Sequence, residues 1–370
     1  MSQNLTKVVV LGRRGLSHPR AGGAEHYVHE IFKRLTEDYD VTILSENRGT
    51  NGQTEDIDGI KYVNVGGPFH RFTIPLRFLA REGRDADILI DHQDVAIPWC
   101  SPLFARTPKI SIIHQIVKEI FYYELSRPWS DLAFFGEPAV YKLYTGIRIV
   151  ASAPSTAADL VKLGIPEERI SVVTPGRADT NAIFSPLSER NQSSVISVSR
   201  LMHYKGLQHV LGAFRQVLRS RPNAILKIAG SGPYEQSLRN IAWHLGVSKS
   251  VHFLGRVSDN SKFDLFRESR VAVATSVRDG YGISVIDANS VGTPVVGWDV
   301  PGLRDSILDK KTGLLAPFPD ETVLADRIVT LLTDDSSWTN LSDNALNWAS
   351  QHSWERSARE FQRTLDTTIS

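Results

Sequence analysis

Short runs of β-branched and other apolar residues, separated by longer amphipathic stretches, are the feature that most constrains how this chain folds. The runs lie at 7–12, 40–44, 60–65, 87–92, 109–114, 147–152, 169–176, 194–199, 224–230, 250–255, 271–276 and 293–298. The stretch after the first run has apolar residues at helical spacing: Val28, Ile31, Phe32 and Leu35. Continuous apolar strands that alternate with helices are typical of parallel sheets covered on both faces, so we predict an α/β fold.

The pattern restarts near residue 194, after a polar stretch at 179–194 that has no periodic apolar face. A length of 370 residues suits two domains. We therefore predict two tandem Rossmann-like domains, each a doubly wound parallel sheet, that face a central cleft. The predicted bounds are 1–180 for the first domain, 181–193 for the linker, 194–345 for the second domain and 346–370 for a terminal helix.

Composition excludes several classes of protein. With 42 basic and 41 acidic residues the net charge is +1, which gives no global attraction to nucleic acid. The single cysteine, Cys100, excludes a disulfide framework and a thiolate zinc site. No apolar run is long enough to span a bilayer, and the first residues contain no apolar signal core. We expect a cytoplasmic protein.

Ligands of open parallel sheets bind beyond the carboxyl ends of the strands, so the residues that follow each strand are the candidate site. Gly22 and Gly23 precede the first amphipathic helix, whose N-terminus can bind an anion. The alternative is a loop that needs glycine only for its turns. Neither the dinucleotide fingerprint nor a P-loop follows the first strand.

Two cations, Arg200 and Lys205, bracket the loop after 194–199 and can clamp a diphosphate. The alternative is a solvated surface pair. After 271–276 come Asp279 and Asp287, eight residues apart, which can contact separate parts of an elongated polar ligand. The alternative is that Asp279 caps a helix and Asp287 is solvated.

Gly282 ends the tight turn after Asp279, and the N–H groups of Ile283 and Ser284 at the start of the next helix can bind phosphate. The backbone of Arg256 and Val257, after 250–255, can contact a nucleobase edge.

His92 and His114 end two strands, and each is either a polar group of the cleft or a structural residue. The Asp-x-Asp triplets at 56–58 and 85–87 precede strands, and we interpret them as loop residues. We predict no metal site, because no spacing of ligands supports one.

Two further segments are candidates for peripheral contacts. Residues 69–84 are apolar and rich in arginine, as in segments that lie on anionic membranes, although an ordinary surface helix is the alternative. The aromatic stretch 119–138 suits an acceptor pocket or a lipid-facing lip, with core packing as its alternative.

Together these motifs resemble the retaining nucleotide-sugar glycosyltransferases of family 4, which have the GT-B fold. The segments that carry the resemblance span nearly the whole chain: AGGAEHYVHEIFKRL, VSRLMHYKGL, DGYGISVIDANSVGTPVVG, DKKTGLLAP and HSWERSAREF. The last resembles the family's terminal helix, which crosses back to the first domain. The resemblance implies acceptor binding by the first domain and donor binding by the second.

The resemblance also implies a role for each candidate residue. Arg200 and Lys205 would bind the donor diphosphate, Asp279 the sugar and Asp287 the ribose. Further roles would fall to residues around them: phosphate closure to Gly22 and Gly23, the donor sugar to His114, and the base to Arg256 and Val257. The family usually has Glu at both acidic positions, so each carboxylate is one methylene shorter here.

The implied reaction moves a sugar from a nucleoside diphosphate to a hydroxyl of a glycan, a lipid-linked glycan or a small molecule, with retention of configuration. Of the two retaining routes, covalent and front-face, we predict the front-face route, without a cofactor or a metal, because Arg200 and Lys205 supply the positive charge. A nucleotide-sugar-binding pseudoenzyme or regulatory subunit is the alternative. A third candidate is another enzyme on the same fold, an epimerase or a phosphorylase. A dehydrogenase is disfavoured because the dinucleotide-binding fingerprint does not follow the first strand.

Overall fold

The predicted strands form two separate, mostly parallel sheets, which confirms the α/β fold. A computed structural model of the chain describes residues 5–46, 53–65, 70–93, 98–178 and 184–369. These residues group into two units. Unit 1 comprises Met1–Lys118, Asp131–Gly176 and Ser353–Ser370, and unit 2 comprises Glu119–Ser130 and Arg177–His352.

Within the described residues of unit 1, eight strands form one sheet. They are β1 (Thr6–Arg14), β2 (Tyr39–Glu46), β3 (Thr54–Ile57), β4 (Ile60–Asn64), β5 (Ile88–Gln93), β6 (Lys109–Ile113), β7 (Arg148–Ala151) and β8 (Ile170–Val172). Their order is β3-β4-β2-β1-β5-β6-β7-β8, and only β3 runs antiparallel to its neighbour. The helices are α1 (Gly23–Phe32), α2 (His70–Ala80), α4 (Trp129–Tyr141, whose first two residues group with unit 2), α5 (Pro154–Lys162) and α13 (Trp354–Ile369).

Within the described residues of unit 2, six strands form an all-parallel sheet in the order β11-β10-β9-β12-β13-β14. They are β9 (Asn191–Val198), β10 (Ile225–Ala229), β11 (Val251–Gly255), β12 (Ser269–Ala274), β13 (Val295–Trp298) and β14 (Gly313–Ala316). The helices are α3 (Ile120–Glu124), α6 (Leu207–Ser220), α7 (Glu235–His244), α8 (Asp259–Glu268), α9 (Ile283–Ser290), α10 (Leu303–Ser306), α11 (Glu321–Thr333) and α12 (Asp335–Ser350).

The central strands of unit 2 position its candidate site. β9 and β12 pair in parallel, so the loops that follow them leave the same edge of the sheet. The N–H group of Val277 in the second loop donates to the carbonyl of Tyr204 in the first, over 2.9 Å. The two motifs that the sequence places 70 to 80 residues apart are therefore neighbours.

The terminal helix α13 belongs to the core of unit 1. Trp354, Phe361 and Leu365 are buried against α1 and the sheet. The rings of Phe361 and Phe32 meet edge to face, with centroids 5.3 Å apart. Burial of such side chains is worth about 1.5–3 kcal/mol each, which is enough to hold the helix on this unit.

The boundaries between the two units differ from the predicted domain boundaries. α3 groups with unit 2 because the Glu124 carboxylate accepts the N–H of Tyr204 over 3.4 Å. β9 begins at Asn191, so the last residues of the predicted linker form a strand. The linker residues 181–183 lie outside the described residues, as do 66–69.

Candidate functional site

The centre of the candidate site in unit 2 is an ion pair between two predicted site residues. The Nζ of Lys205 lies 2.7 Å from Oδ2 of Asp279. The hydroxyl of Ser276 donates to the same oxygen over 2.8 Å, and the N–H of Gly280 donates to Oδ1 over 2.9 Å. Asp279 does not cap α9, whose N-cap residue is Gly282.

The pair is charged on both sides. Burial alone would raise the pKa of Asp279, but the Lys205 ammonium and the hydrogen bonds hold that pKa below its usual value. Burial alone would lower the pKa of Lys205, and the Asp279 carboxylate instead raises it. Lys205 therefore presents a full positive charge at neutral pH, compensated by Asp279 when no ligand is bound.

Tyr204 connects Lys205 to the second predicted cation, Arg200. The Nη2 of Arg200 donates to the Tyr204 hydroxyl over 3.0 Å, and the Lys205 ammonium lies 5.2 Å from the centre of the ring. The ring is buried, whereas Arg200 is exposed at the end of β9. The loop ends at Gly206, whose φ of 70° brings it against the carbonyl of Thr275, where a Cβ has no room.

Asp287 lies on α9 and is buried, only 2% exposed, so it is not a solvated surface residue. Its Oδ2 accepts from the ammonium of Lys262 on α8 over 2.8 Å, and Lys262 also pairs with Asp259. Burial lowers the pKa of Lys262, but the Asp287 carboxylate raises it above its usual value. The second oxygen, Oδ1, is buried without a hydrogen-bond partner. An unpartnered buried carboxylate oxygen is a ready acceptor for a ligand hydroxyl.

The remaining predicted residues of unit 2 follow strands or begin α9. Gly282 has a φ of 81° and precedes Ile283, where α9 begins, so the N–H groups of Ile283 and Ser284 belong to the first turn of the helix. Arg256 is exposed after β11, and Val257 packs on the core of the unit.

In unit 1, a buried ion pair between Arg14 and Glu25 holds the loop that contains Gly22 and Gly23. Gly22 is the N-cap of α1, and its N–H donates to Oε2 of Glu25 over 2.8 Å. The other oxygen of Glu25 lies 3.3 Å from Nη1 of Arg14, and both side chains are less than a tenth exposed. Arg14 is thus neutralised locally, and the helix N-terminus after Gly22 and Gly23 supplies the positive end of a dipole.

His92 and His114 are in direct contact in unit 1. Their Nε2 atoms are 2.9 Å apart, so one ring donates and the other accepts. Tyr27 of α1 packs edge to face against His114, with centroids 5.0 Å apart. The structure therefore places His114 against α1, the helix that begins at Gly23, within unit 1.

The aspartate triplets have structural partners. Asp58 pairs with His29 over 3.0 Å, and Asp87 accepts the N–H of Lys7 over 2.8 Å. Asp56 is a strand residue in β3, so the prediction that it is a loop residue is wrong. The reason is the Asp58-Gly59 turn, in which both residues have positive φ and close a β3–β4 hairpin.

The segment 69–84 contains α2, on which Leu76 and Leu79 are exposed. Arg77 pairs with Glu82 over 2.9 Å, and this pair reduces the net positive charge of the segment. On α4, three apolar side chains are exposed: Trp129, Leu132 and Phe135. Among the described residues, no helix combines the length and the apolar character needed to cross a membrane.

Sequence reasoning missed three residues of the site. In the sequence Tyr204 lies between Arg200 and Lys205, and that position could have identified it as a residue of the site. Ser276 lies three residues before Asp279 and bonds to it locally, whereas Lys262 reaches Asp287 only through the fold. Lys262 carries no local signal, because 25 residues separate it from Asp287.

Two family models match this chain in tandem. The model described as Glycosyltransferase Family 4 matches residues 21–179, and that described as Glycosyl transferases group 1 matches residues 179–348. D-inositol 3-phosphate glycosyltransferase of Corynebacterium efficiens is 27% identical, over 77% of this chain and 72% of its own. The protein of the same name from Corynebacterium aurimucosum is 26% identical, over 95% of this chain and 92% of its own.

Solved structures share the fold at low sequence identity. Sucrose-phosphate synthase from Thermosynechococcus elongatus has a TM-score of 0.81 at 16% identity, over 98% of both chains. Anabaena HepE in complex with UDP-glucose has a TM-score of 0.78 at 18% identity, over 98% of this chain and 99% of its own. The two family models match both halves of the chain in order, and the solved structures share its fold, so this chain belongs to the family 4-like glycosyltransferases of the GT-B fold.

Proposed function

We propose that this glycosyltransferase moves a sugar from a nucleoside diphosphate to a hydroxyl acceptor, with retention of configuration and without a metal ion. The observation that carries the proposal is the Lys205–Asp279 pair, at 2.7 Å, in the loops that follow the two central strands of unit 2. A diphosphate is a strong competitor for Lys205, because it carries more charge than one carboxylate. Donor binding would exchange this partner and release Asp279 toward the sugar.

The donor is held by residues of unit 2. Arg200 and Lys205 bind the diphosphate, and the N–H groups of Ile283 and Ser284 add donors at the positive end of α9. The unpartnered Oδ1 of Asp287 accepts from a ribose hydroxyl. The backbone of Arg256 and Val257 contacts the base.

The reaction follows a front-face route. The bond between the anomeric carbon and the phosphate oxygen breaks while the acceptor oxygen bonds to that carbon on the same face. The acceptor proton passes to the leaving phosphate oxygen. Arg200 and Lys205 stabilise the charge that grows on this oxygen, and Asp279 orients the sugar through its hydroxyls.

The donor is identified first by calorimetry with a panel of UDP-, GDP-, ADP- and TDP-sugars. UDP-glucose heads the panel because it is bound in the Anabaena structure, and inositol phosphate heads the acceptors because of the names of the corynebacterial relatives. NMR of the anomeric proton in the product then reports the stereochemistry. We expect one donor to bind and the α or β configuration to be retained. Inversion, or no heat with any member of the panel, would contradict the proposal.

A pseudoenzyme that binds a nucleotide sugar without transferring it is the second candidate. It is favoured by the short carboxylates at Asp279 and Asp287, of which Asp279 is already engaged by Lys205. Asp279→Glu is the informative variant. If the wild-type protein binds a donor without turnover and Asp279→Glu acquires turnover, the chain is a binding protein.

Peripheral membrane contact through the segment 69–84 is a separate proposal. Exposed Leu76 and Leu79 on α2 support it, with the exposed Arg81 beside them. Sedimentation with vesicles of anionic and of neutral lipid at low salt tests it. Binding only to anionic vesicles is expected, and equal recovery in the supernatant with both would overturn it.

A further inference from the structure

A buried hydrogen bond ties the loop that carries Asp279 to a distant part of unit 2. Tyr281 stands between Gly280 and Gly282 and is only 4% exposed. Its hydroxyl lies 2.6 Å from Nε2 of His352, which is itself 6% exposed. The glycines on either side of Tyr281 leave the backbone flexible, so this side chain is a principal anchor of the loop.

The acceptor and donor roles of this bond follow from its neighbours. Nδ1 of His352 lies 2.9 Å from the carbonyl oxygen of Trp348. A carbonyl only accepts, so Nδ1 carries a proton. With that proton on Nδ1, Nε2 is the ring atom that can accept the hydrogen bond of the Tyr281 hydroxyl. The ring is fixed on both sides, and it fixes the tyrosine in turn.

The contacts continue from His352 back to the loop. The indole N–H of Trp348 donates to the carbonyl of Ser306 over 3.0 Å. Ser306 is the last residue of α10, and a Cβ on Gly282 would come within 3.0 Å of its hydroxyl oxygen. The N–H of Asp279 donates to the carbonyl of Pro301, just before α10, over 3.1 Å. The loop is therefore held at Asp279, Tyr281 and Gly282.

His352 also lies where the chain passes between the units. It is the last residue of unit 2 before α13, and its carbonyl accepts the N–H of Arg177, the residue at which the chain re-enters unit 2 after Gly176, over 3.2 Å. The anchor of the Asp279 loop is thus a residue of the connecting segments.

We propose that His352 is a positioning residue: through the Tyr281 hydroxyl it fixes the loop that presents Asp279 to the sugar. This inference rests on the proposed transferase function. Neither residue touches the donor in this scheme. Loss of the bond leaves Lys205 and Arg200 in place, so it affects the orientation of the sugar more than the binding of the diphosphate.

The test compares two matched variants. Tyr281→Phe deletes only the hydroxyl of the proposed anchor. Tyr62→Phe deletes the equivalent hydroxyl of a second buried Tyr–His bond, in which Tyr62 lies 3.0 Å from Nδ1 of His29 in unit 1. Both variants lose one buried hydrogen bond and are expected to lose similar thermal stability.

We expect Tyr281→Phe to lower kcat about tenfold or more while KM for the donor and the affinity for the nucleoside diphosphate change less than about twofold. Tyr62→Phe leaves kcat unchanged. His352→Phe matches Tyr281→Phe, and the double variant is no worse than either single variant, because both remove one interaction. His352→Gln, whose side-chain oxygen can accept from Tyr281, recovers part of kcat. An unchanged kcat in Tyr281→Phe, or an equal loss in Tyr62→Phe, would overturn the proposal.

A second readout needs no activity and separates this inference from the proposed function. The Gly280 amide donates to Oδ1 of Asp279, so its hydrogen exchange reports the order of the loop. We expect faster exchange at Gly280 in Tyr281→Phe and His352→Phe, and not in Tyr62→Phe. Faster exchange in a protein that transfers no sugar would contradict the proposed function and leave the positioning role of His352 intact. Unchanged exchange at Gly280 in Tyr281→Phe and His352→Phe would contradict that positioning role.

Discussion

Asp279 and Asp287 belong to one motif and both pair with a lysine, yet their surroundings differ in one respect. Both oxygens of Asp279 have partners: Lys205 and Ser276 on one, the Gly280 amide on the other. Asp287 has Lys262 on one oxygen and an unpartnered, buried second oxygen. The oxygens of the first carboxylate are all engaged by protein donors and must exchange partners to bind a ligand, whereas the second carboxylate has one buried oxygen with unused hydrogen-bonding capacity. The four predictions below test this difference.

The largest effect is expected from Lys205→Ala. Loss of an ammonium that stabilises the leaving phosphate should lower kcat about 100- to 1000-fold. It also leaves Asp279 without its cation, so the stability falls as well. Steady-state kinetics with the identified donor and circular dichroism measure the two effects.

Lys227→Ala is the matched control, because Lys227 is a similarly covered lysine of β10 that pairs with Glu268 of α8 over 3.2 Å and lies within its strand, not in a loop after it. Adding Asp279→Asn to Lys205→Ala should restore stability without restoring kcat. A kcat within twofold of wild type in Lys205→Ala would remove Lys205 from the proposed clamp.

Asp287→Asn should weaken binding of the nucleoside diphosphate by about tenfold or more, because a hydrogen bond to a charged acceptor is worth about 1.5–3 kcal/mol. Calorimetry with the nucleoside diphosphate, and with pyrophosphate as a ligand that lacks ribose, separates the contributions. The loss should appear only with the nucleotide. An equal loss with pyrophosphate would mean that the substitution disturbs the phosphate site and that Asp287 does not act through the ribose.

Asp279→Asn should act in the opposite direction on binding. Without the competing carboxylate, Lys205 is available to the diphosphate, and we expect the affinity for the nucleoside diphosphate to rise about threefold while kcat falls. The same calorimetric titration measures the gain. Weaker binding would show that Asp279 orders Lys205 rather than competing for it.

The smallest effect is the pH dependence of stability. The folded-state pKa of Asp279 is held below its ordinary value of 3.8, so its ionisation stabilises the fold above that pH. This contribution is lost as the pH falls through the lowered pKa. The difference in unfolding free energy between wild type and Asp279→Asn should therefore shrink as the pH falls below 3.8 in urea titrations. A difference that grows toward acid would mean that the pKa of Asp279 is raised.

Much of the fold could be predicted from local patterns. The apolar runs mark the strands within a few residues, because a strand buried on both faces has to be continuously apolar. Two of the described strands lie outside the predicted runs. Strand β3 (Thr54–Ile57) is polar and only the Asp58-Gly59 turn signals it, and strand β14 (Gly313–Ala316) has only four residues. Helix α1 ends at Phe32 and not beyond Leu35, which is buried by the turn that follows.

The residues of the candidate site could be predicted from the sequence, but the ion-pair and hydrogen-bond partners of those residues could not. Spacing after strand ends selected Lys205, Asp279 and Asp287, because the edge of a parallel sheet is where ligands bind. Spacing could not show that Lys205 and Asp279 neutralise each other. Nor could it select Tyr281 and His352, which are 71 residues apart and carry no shared pattern.

The sequence by itself determined the two-sheet α/β architecture, the family and the loops in which the chemistry would lie. These follow from periodicity and from glycine and charge at fixed spacing, which act over a few residues. Only the tertiary structure decided which charges compensate each other, which carboxylate oxygen is buried without a partner, and which histidine contacts the acidic loop. Those outcomes depend on contacts between residues that are distant in the chain, where a difference of one ångström separates a hydrogen bond from none.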